Sequence, residues 1–326
     1  MIFLWFGVLA ISLFVLLKSA DYFIEDSVSV GTKLKIPSFV LGATIVAFGT
    51  SLPELAVAIS AILKDAPAII SGTVIGSNIS NIFFILGVAI IIGKGFKIDF
   101  KKNAAPLLIL FFVTGIVSYF LWDNEYSLTD GLISVGLLVA YILYIVFIQK
   151  PEDEEDEEEP NDRSILKSSV FILLSGVGIW AGAEFVIMAI TKVAQLLNIK
   201  EDIISLTVVA LGTSLPELAV TIVAVKKNRY GIVLGNIIGS NVFNMLCVLG
   251  IPVVIGHFTN HPYIINDAVF TGFSIPLMLL ATVLMLLISF FKSIPKVFGI
   301  VFVLLYLFFI IGTFLKINLL ETLYNI

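Results

Sequence analysis

The sequence predicts an all-α integral membrane protein of ten transmembrane helices, arranged as two five-helix repeats of inverted topology. Three observations support this fold class: an apolar composition, apolar runs long enough to span a membrane, and a polar motif that occurs twice. Of the 326 residues, 59% are hydrophobic and 13% are charged, and the mean hydropathy is +1.09. A soluble domain carries about 25% charged residues, so a soluble fold is excluded.

The apolar runs have the length of about 20 residues that a helix needs to cross about 30 Å of hydrocarbon. They do not alternate between apolar and polar residues, as the strands of a membrane barrel would. The first run has no positive charge ahead of it, which predicts a first span rather than a cleaved signal peptide. The predicted spans are residues 2–22, 38–63, 68–93, 104–122, 128–149, 165–190, 202–225, 230–256, 267–291 and 296–316.

Lysine and arginine are distributed unequally between the two sides of this topology. The odd-numbered connections hold 14 of them, and the opposite side of the membrane holds 4, one of which, Lys316, lies at the end of the last span. Because positive residues concentrate on the cytoplasmic side, the sequence predicts a multi-pass protein of the cell membrane with both termini extracellular.

The stretch PEDEEDEEEPNDRS, residues 151–164, lies between spans five and six. Repelling charges and two prolines predict an extended cytoplasmic linker. A weak calcium-sensing role is the alternative, and the stretch is too short for a folded regulatory domain. The linker separates a first repeat, residues 1–150, from a second repeat, residues 165–326.

An internal repeat is the strongest signal in the sequence. The stretch TIVAFGTSLPELAVAI from Thr44 returns as TVVALGTSLPELAVTI from Thr207, and GTVIGSNISN from Gly72 returns as GNIIGSNVFN from Gly235, all at an offset of 163 residues. The motifs cover residues 44–87 and 207–250. Since each half holds five spans, an odd number, the second half enters the membrane from the opposite side. Transporters with this design bind their substrate near the middle of the membrane, where the repeats meet.

Each copy of the motif places one glutamate, Glu54 or Glu217, near the middle of a predicted span. A carboxylate at this depth costs about 3 kcal/mol on insertion scales and is functional by default. Two such carboxylates repel each other unless a cation lies between them, and together they match the charge of one Ca²⁺. Pro53 and Pro216 precede them, and each proline frees a backbone carbonyl and bends its helix.

Further oxygen-bearing side chains share the helix faces of the two glutamates. In the first half, Ala47, Thr50, Ser51 and Glu54 form one helical stripe, and Ala210, Thr213, Ser214 and Glu217 repeat it. One span later come Ser77 with Asn81, and Ser240 with Asn244. Alternative roles stay open: a hydroxyl often bonds to its own helix backbone, and an asparagine can join two helices.

Other polar and small residues have more modest predicted roles. We expect packing or gating for Asn78 and Asn241, because they lie off the stripe of Ser77 and Asn81. Close helix packing is expected at Gly72, Gly76, Gly235 and Gly239. Interfacial positions are expected for Asp21 and Glu184, with an ion-entry role as the alternative. We expect Cys247 to be a core residue and His257 and His261 to lie in an external loop without a metal site.

The sequence GTSLPE with GSNxxN one span later, present in both halves, resembles the alpha repeats of the cation/calcium antiporter superfamily. Within it, the chain is most similar to the sodium/calcium exchanger branch in its compact microbial form. The resemblance implies four ion subsites centred on Glu54 and Glu217, and movement of spans one and six. The implied ligands are the side chains of Thr50, Ser51, Ser77, Thr213, Ser214 and Ser240, the carbonyls of Ala47 and Ala210, and the flanking amides of Asn81 and Asn244.

The predicted function is exchange of Na⁺ for Ca²⁺ by alternating access. The resemblance implies independence of K⁺, because potassium-dependent relatives carry aspartate at the position of Asn244. An exchange of more than two Na⁺ for one Ca²⁺ would be electrogenic. A Ca²⁺/H⁺ antiporter is the alternative, and a cation channel is the alternative from another class. The expected partners are Na⁺, Ca²⁺, H⁺ as a competitor, and the lipid bilayer. We expect no enzyme activity, cofactor, nucleic acid or obligate protein partner.

Overall fold

The computed structural model describes residues 2–93, 100–123, 125–148, 163–197, 214–264, 270–291 and 293–324. Within these ranges the chain is helical, apart from turns and one isolated antiparallel bridge between Glu125 and Ile264. The helices in chain order are Ile2–Leu34 (α1), Ser38–Ile62 (α2), Pro67–Ile92 (α3), Phe100–Phe120 (α4), Leu128–Phe147 (α5), Ile165–Leu196 (α6), Leu215–Lys226 (α7), Tyr230–Thr259 (α8), Gly272–Ile288 (α9) and Lys296–Tyr324 (α10).

Eight of the described helices are long and apolar enough to cross a membrane. The exceptions are α7 and α9, which occupy the positions of predicted spans seven and nine. Residues 201–213 and 265–269, next to these two helices, lie outside the described part of the chain. The all-helical fold is therefore confirmed for the described residues, and the count of ten spans stays a prediction.

The chain divides into two compact units. The first contains Met1–Thr50 and Lys150–Asn236, and the second contains Ser51–Gln149 and Ile237–Ile326. Each unit combines segments from both halves of the sequence. These units differ from the N-terminal and C-terminal repeats of the sequence, and the division into two repeats stays a prediction. Residues 151–162 of the predicted linker lie outside the described residues.

In the first unit, α1 packs along α6, and charged residues fix the end of α1 that extends beyond its apolar run. The Asp26 carboxylate is fully buried and pairs with the Arg163 guanidinium at 2.6 Å. This hydrogen-bonded carboxylate raises the pKa of Arg163 above its ordinary value. The Arg163 guanidinium also lies over the ring of Phe171 at 4.2 Å, and Lys33 donates a hydrogen bond to the Arg163 carbonyl. These contacts explain why α1 continues to Leu34, past the predicted end at residue 22.

A second ionic contact in this unit involves Asp21. Its carboxylate accepts from Lys18 at 3.3 Å and from Lys227 at 2.7 Å. Lys227 follows the end of α7, so the contact joins α1 to the turn between α7 and α8. Glu184 lies on α6 and is exposed. The interfacial placement of both acids stays a prediction.

Two glycines allow α2 and α8 to approach closely within the first unit. A Cβ atom added at Gly42 would lie 2.5 Å from the Ile232 carbonyl oxygen, and one at Gly235 would lie 2.3 Å from the Phe39 carbonyl oxygen. Neither position can accept a side chain without a backbone shift, and the packing role predicted for Gly235 is confirmed. A Cβ atom at Gly72 or Gly76 would meet no atom within 4 Å, so the described residues give these two glycines no packing role.

In the second unit, helix pairs recur in the way the sequence repeat predicts. Helix α3 packs against α10, and α8 packs against α5. Because α3 corresponds to α8 and α5 to α10 at the offset of 163 residues, these are equivalent contacts. Each contact contains a tightly packed glycine. A Cβ atom at Gly87 would lie 3.0 Å from the Gly299 carbonyl oxygen, and one at Gly250 would lie 2.9 Å from the Ser134 Cβ.

The duplication is also visible in the local backbone. Asp65 and Asn228 are repeat partners, and each adopts a left-handed φ, 53° and 58°, in the turn after α2 or α7. Both residue types tolerate this conformation better than most. π-Helical turns occur at Ser80–Leu86 and at Asn244–Val248, which also correspond at the same offset. The two halves therefore share structure at the level of single turns as well as sequence.

Polar contacts tie together three connections of the second unit, which are predicted from the sequence to be external. The Tyr263 hydroxyl lies 2.5 Å from Ser71 Oγ, and the Tyr126 backbone N–H donates to the Tyr263 carbonyl at 3.2 Å. Burial raises the pKa of both tyrosines. His261 pairs with Asp65 at 2.7 Å. The histidine thus has a structural partner, and the described ranges contain no group of three or more His, Cys, Asp or Glu side chains placed to hold a metal ion.

Candidate functional site

Most of the predicted ligands are described, and all of these are buried. In the second unit, six predicted ligands lie on α2, α3 and α8, and each is no more than 3% exposed. They are Ser51, Glu54, Ser77, Asn81, Ser240 and Asn244. The first unit contributes Ala47, Thr50, Ser214 and Glu217, again no more than 3% exposed. Ala210 and Thr213 lie outside the described residues.

The helix that carries Glu54 has the irregularity predicted from its sequence. Pro53 lies inside α2, where it removes a backbone donor and leaves the carbonyl of Gly49 without its helical partner. A π-helical turn, Gly42–Val46, precedes this stretch. Such turns occur frequently at functional sites, because they change the direction of side chains and loosen the backbone hydrogen-bond ladder.

Glu217 has a different backbone setting. Helix α7 is described from Leu215, which places Pro216 and Glu217 in its first turn. Proline is well accommodated in a first turn, where its missing N–H would have no helical partner. A carboxylate in the first turn is also favoured by the positive end of the helix dipole. The backbone carbonyl that Pro216 is predicted to free belongs to Gly212, which lies outside the described ranges.

Within the first unit, Thr50 lies beside Glu217. The Thr50 hydroxyl donates to the Ala47 carbonyl at 3.3 Å and also interacts with the Glu217 carboxyl group. The Ser214 hydroxyl makes no hydrogen bond among the described residues. Ser214 and Glu217 thus place buried oxygen atoms close to Thr50, where they are candidate ligands for a cation.

The second unit holds further buried oxygen atoms without protein partners. In the described ranges, Ser51 Oγ, Ser77 Oγ, Asn81 Oδ1 and Asn244 Oδ1 make no hydrogen bond. A buried polar atom without a partner costs about 1–3 kcal/mol, and native proteins contain few of them. Asn81 and Asn244 are repeat partners, so their amide oxygens are matched candidates for binding an ion.

Asparagine side chains link α3 to α8 in the same region. Asn78 donates to the Asn241 backbone carbonyl at 3.3 Å and accepts from Asn244 Nδ2 at 3.2 Å. Asn241 turns its own side chain back to the Ile237 carbonyl of α8, at 2.6 Å. The sequence predicted packing or gating for Asn78 and Asn241, and helix joining as the alternative for Asn244. The structure shows that the Asn244 NH₂ group does join two helices, because it donates to Asn78 on α3.

The chemistry of these atoms suits hard cations. Hydroxyl, amide and carboxylate oxygens are the ligands that Ca²⁺ prefers, and it takes six to eight of them. Cys247 is a free, buried cysteine on α8, and it is a core residue as predicted. A cation held by the candidate residues would therefore bind to oxygen alone.

Comparison with known proteins agrees with this chemistry. The model of the family described as sodium/calcium exchanger protein matches residues 4–148 and 167–315. The chain belongs to the sodium/calcium exchanger family. Its members transport Na⁺ and Ca²⁺ across membranes, and they are transporters rather than enzymes. This exchanger is accordingly a multi-pass membrane protein and a cation/Ca²⁺ antiporter.

Individual relatives cover nearly the whole of the exchanger. Sodium/calcium exchanger MaX1 of Methanosarcina acetivorans is 32% identical over 349 aligned positions, which cover 95% of this chain and 98% of the relative. Inner membrane protein YrbG of Escherichia coli is 32% identical, over 76% of this chain and 79% of its own. A solved structure of the sodium-calcium exchanger NCX_Mj, soaked with Na⁺ and Sr²⁺, superposes with a TM-score of 0.79. It is 30% identical, and the match covers 94% of this chain and 98% of NCX_Mj.

Proposed function

We propose that this exchanger performs electrogenic, K⁺-independent Na⁺/Ca²⁺ antiport by alternating access, with Glu54 and Glu217 as the central ligands of the transported ions. The observation that carries the proposal is the burial of the two glutamates. Each is only 2% exposed, and the two occupy the same position in the two copies of the motif. Burying a negative charge is costly, and a divalent cation bound by both carboxylates would neutralise their two charges.

Three of the remaining ligands are serines whose hydroxyl oxygens have no hydrogen-bond partner among the described residues. We infer that Ser51, Ser77 and Ser214 complete the coordination together with Thr50, Ser240 and the Ala47 carbonyl. Thr213 and the Ala210 carbonyl are included because they repeat Thr50 and Ala47 in sequence. Asn81 and Asn244 supply amide oxygens beside the glutamates. A site of neutral oxygens around two carboxylates suits Ca²⁺. The same ligands, divided among neighbouring subsites, can bind several Na⁺ ions.

Electrogenic exchange follows if three or more Na⁺ replace one Ca²⁺. Each net elementary charge moved is driven by about 2.3 kcal/mol per 100 mV of membrane potential. K⁺ independence rests on Asn244, which adds no third negative charge to the site. An inverted repeat with one central site favours a carrier over a channel, because the same ligands can be exposed to either side in turn.

We propose that both termini of the exchanger are extracellular. The support is the excess of lysine and arginine in the odd-numbered connections. Epitope tags added at the N-terminus and at the C-terminus should bind antibody on intact cells without permeabilisation. Tags that become accessible only after permeabilisation would overturn the orientation.

Flux into liposomes tests the transport reaction itself. Proteoliposomes loaded with Na⁺ are diluted into Na⁺-free medium that contains Ca²⁺, with a large organic cation in place of K⁺. The proposal predicts Ca²⁺ uptake, together with a transport current when Ca²⁺ is added to protein on a supported membrane. Uptake driven by a pH gradient without Na⁺ would favour Ca²⁺/H⁺ antiport, and Ca²⁺ entry without any counter-ion gradient would indicate a channel.

A further inference from the structure

The buried side chain of Asn78 joins two successive turns of α8. Its Nδ2 lies 3.3 Å from the Asn241 backbone carbonyl oxygen and 3.9 Å from Met278 Sδ. Its Oδ1 lies 3.2 Å from Asn244 Nδ2. Asn78, Asn241 and Asn244 are each no more than 1% exposed. The amide of Asn78 is therefore held at both ends in a place that bulk water does not reach.

The direction of this hydrogen-bond chain is fixed by its first acceptor. A backbone carbonyl and a thioether sulfur can only accept hydrogen bonds. Asn78 must consequently point its NH₂ group towards Asn241 and Met278, which leaves its oxygen facing Asn244. Since that oxygen needs a donor, Asn244 presents its own NH₂ group to Asn78.

The orientation of Asn244 then determines what it offers to an ion. With Nδ2 bonded to Asn78, its Oδ1 points to the other side, where it is buried and has no hydrogen-bond partner among the described residues. An amide oxygen is a good ligand for a hard cation, whereas an NH₂ group repels one. A reversed Asn244 would place two amide oxygens against each other and turn its NH₂ group to the opposite side.

We propose that Asn78 is a positioning residue for cation binding, which holds the Asn244 amide with its oxygen directed at the transported ion. The proposal rests on the proposed function, in which Asn244 is a ligand. Asn78 acts through Asn244, and the Asn241 carbonyl is the fixed acceptor that sets the direction.

The equivalent arrangement is missing in the other copy of the motif, as far as the structure describes it. Asn81 is the repeat partner of Asn244, and neither of its amide atoms makes a hydrogen bond there. Asn241 is the repeat partner of Asn78, and its NH₂ group bonds within α8 to Ile237. Only one of the two ligand amides is thus held by a neighbour, so the positioning effect is specific to Asn78.

Substitution by leucine tests the proposal, because leucine has the branched shape of asparagine without its polar atoms. Wild type, Asn78→Leu, Asn244→Leu and the double variant are reconstituted, and Na⁺-driven Ca²⁺ uptake is measured over a range of Ca²⁺ concentrations. We expect Asn78→Leu to raise the half-saturating Ca²⁺ concentration by about 5- to 30-fold, with a smaller change in the maximal rate. In the Asn244→Leu background, the same change should add no more than about twofold.

Thr114→Val is the matched control. Thr114 is fully buried and bonds to Thr282 on α9 at 3.3 Å and to the Leu110 carbonyl at 2.7 Å. Its replacement removes a buried hydrogen bond between helices of the same unit but lies outside the proposed site. It should leave the half-saturating Ca²⁺ concentration unchanged. If Asn78→Leu does not yield folded protein, Asn78→Ala is measured in the same cycle.

The outcomes separate this proposal from the one on which it rests. If Asn244→Leu weakens Ca²⁺ binding while Asn78→Leu does not, or if the two effects multiply, the positioning role is overturned and the ligand role of Asn244 stands. If Asn244→Leu leaves the half-saturating Ca²⁺ concentration unchanged, Asn244 is not a ligand and both assignments are overturned. Glu54→Gln, measured in parallel, reports independently on the central site.

Discussion

The crossing of α3 and α10 is held at close range by two glycines, Gly87 and Gly299. A Cβ atom at Gly299 would lie 2.6 Å from the Gly87 carbonyl oxygen and 2.9 Å from Ile91 Cγ1. An ordinary carbon–oxygen contact measures about 3.3 Å or more, so the helices would have to separate by about 0.7 Å. We therefore expect Gly299→Ala to be destabilising, because overpacking of this kind costs about 1–3 kcal/mol.

The repeat partner of Gly299 supplies a matched control for this substitution. Gly136 lies within α5, and a Cβ atom there would meet nothing within 4 Å. Gly136→Ala should be neutral or stabilising by up to about 1 kcal/mol, since alanine is the better helix former. The same chemical change at two equivalent positions of the repeat is thus expected to destabilise the protein at Gly299 and not at Gly136.

Thermal stability of the purified exchanger in detergent measures this difference. Each variant is heated, and the fraction that stays monodisperse is followed by size-exclusion chromatography. Gly299→Ala should melt below wild type, and Gly136→Ala should melt at or above it. A Gly299→Ala protein as stable as wild type, or a Gly136→Ala protein that is the less stable of the two, would show that the glycine crossing does not limit the α3–α10 distance.

Three further predictions concern charge. Asn244→Asp should make transport pH-sensitive or K⁺-responsive: only a protonated carboxyl can donate to Asn78, and an ionised one adds a negative charge that another cation can neutralise. Flux at fixed voltage, with and without K⁺ and across pH, checks this, and a profile identical to wild type would contradict it. Deletion of residues 152–159 should leave ion selectivity unchanged if they form a solvated connector, and a loss of Ca²⁺ affinity in folded deletion protein would oppose that role. Arg163→Gln should lower the melting temperature, because it removes the ion pair with the buried Asp26; an unchanged melting temperature would show that the pair does not stabilise α1.

Hydropathy predicted the helices well but not all of their ends. The first span was expected at residues 2–22, and α1 continues to Leu34. The reason is that Asp21 and Asp26 find cationic partners on other segments of the same unit. Hydropathy detects apolar stretches only. It therefore does not detect the polar part of a helix that is stabilised by ion pairs with distant residues. The close packing at Gly235 was predictable because a small residue recurs at matching positions of a repeat.

The polar residues of the site were predicted from the repeat, and their hydrogen bonds were not. The offset of 163 residues drew attention to Asn81 and Asn244, and the helical stripe excluded Asn78 from the ligands. The structure shows Asn78 as the hydrogen-bond partner of Asn244 on α8, which agrees with the packing role expected for it. The repeat suggested symmetry at this point, whereas the two asparagine pairs form different contacts. Similarly, the π-helical turns at Ser80–Leu86 and Asn244–Val248 have no periodic signature by which a sequence of apolar residues could reveal them.

The central claim is that Glu54 and Glu217 bind the transported Ca²⁺ together. Its most direct test compares wild type with Glu54→Gln and Glu217→Gln in Na⁺-loaded proteoliposomes, using Ca²⁺ uptake as the readout. Each variant retains the shape of the side chain but leaves a single negative charge to hold a divalent ion in a dry site. We predict that either substitution abolishes Na⁺-driven Ca²⁺ uptake in protein that is folded and correctly inserted. Near-normal exchange by either variant would contradict the account.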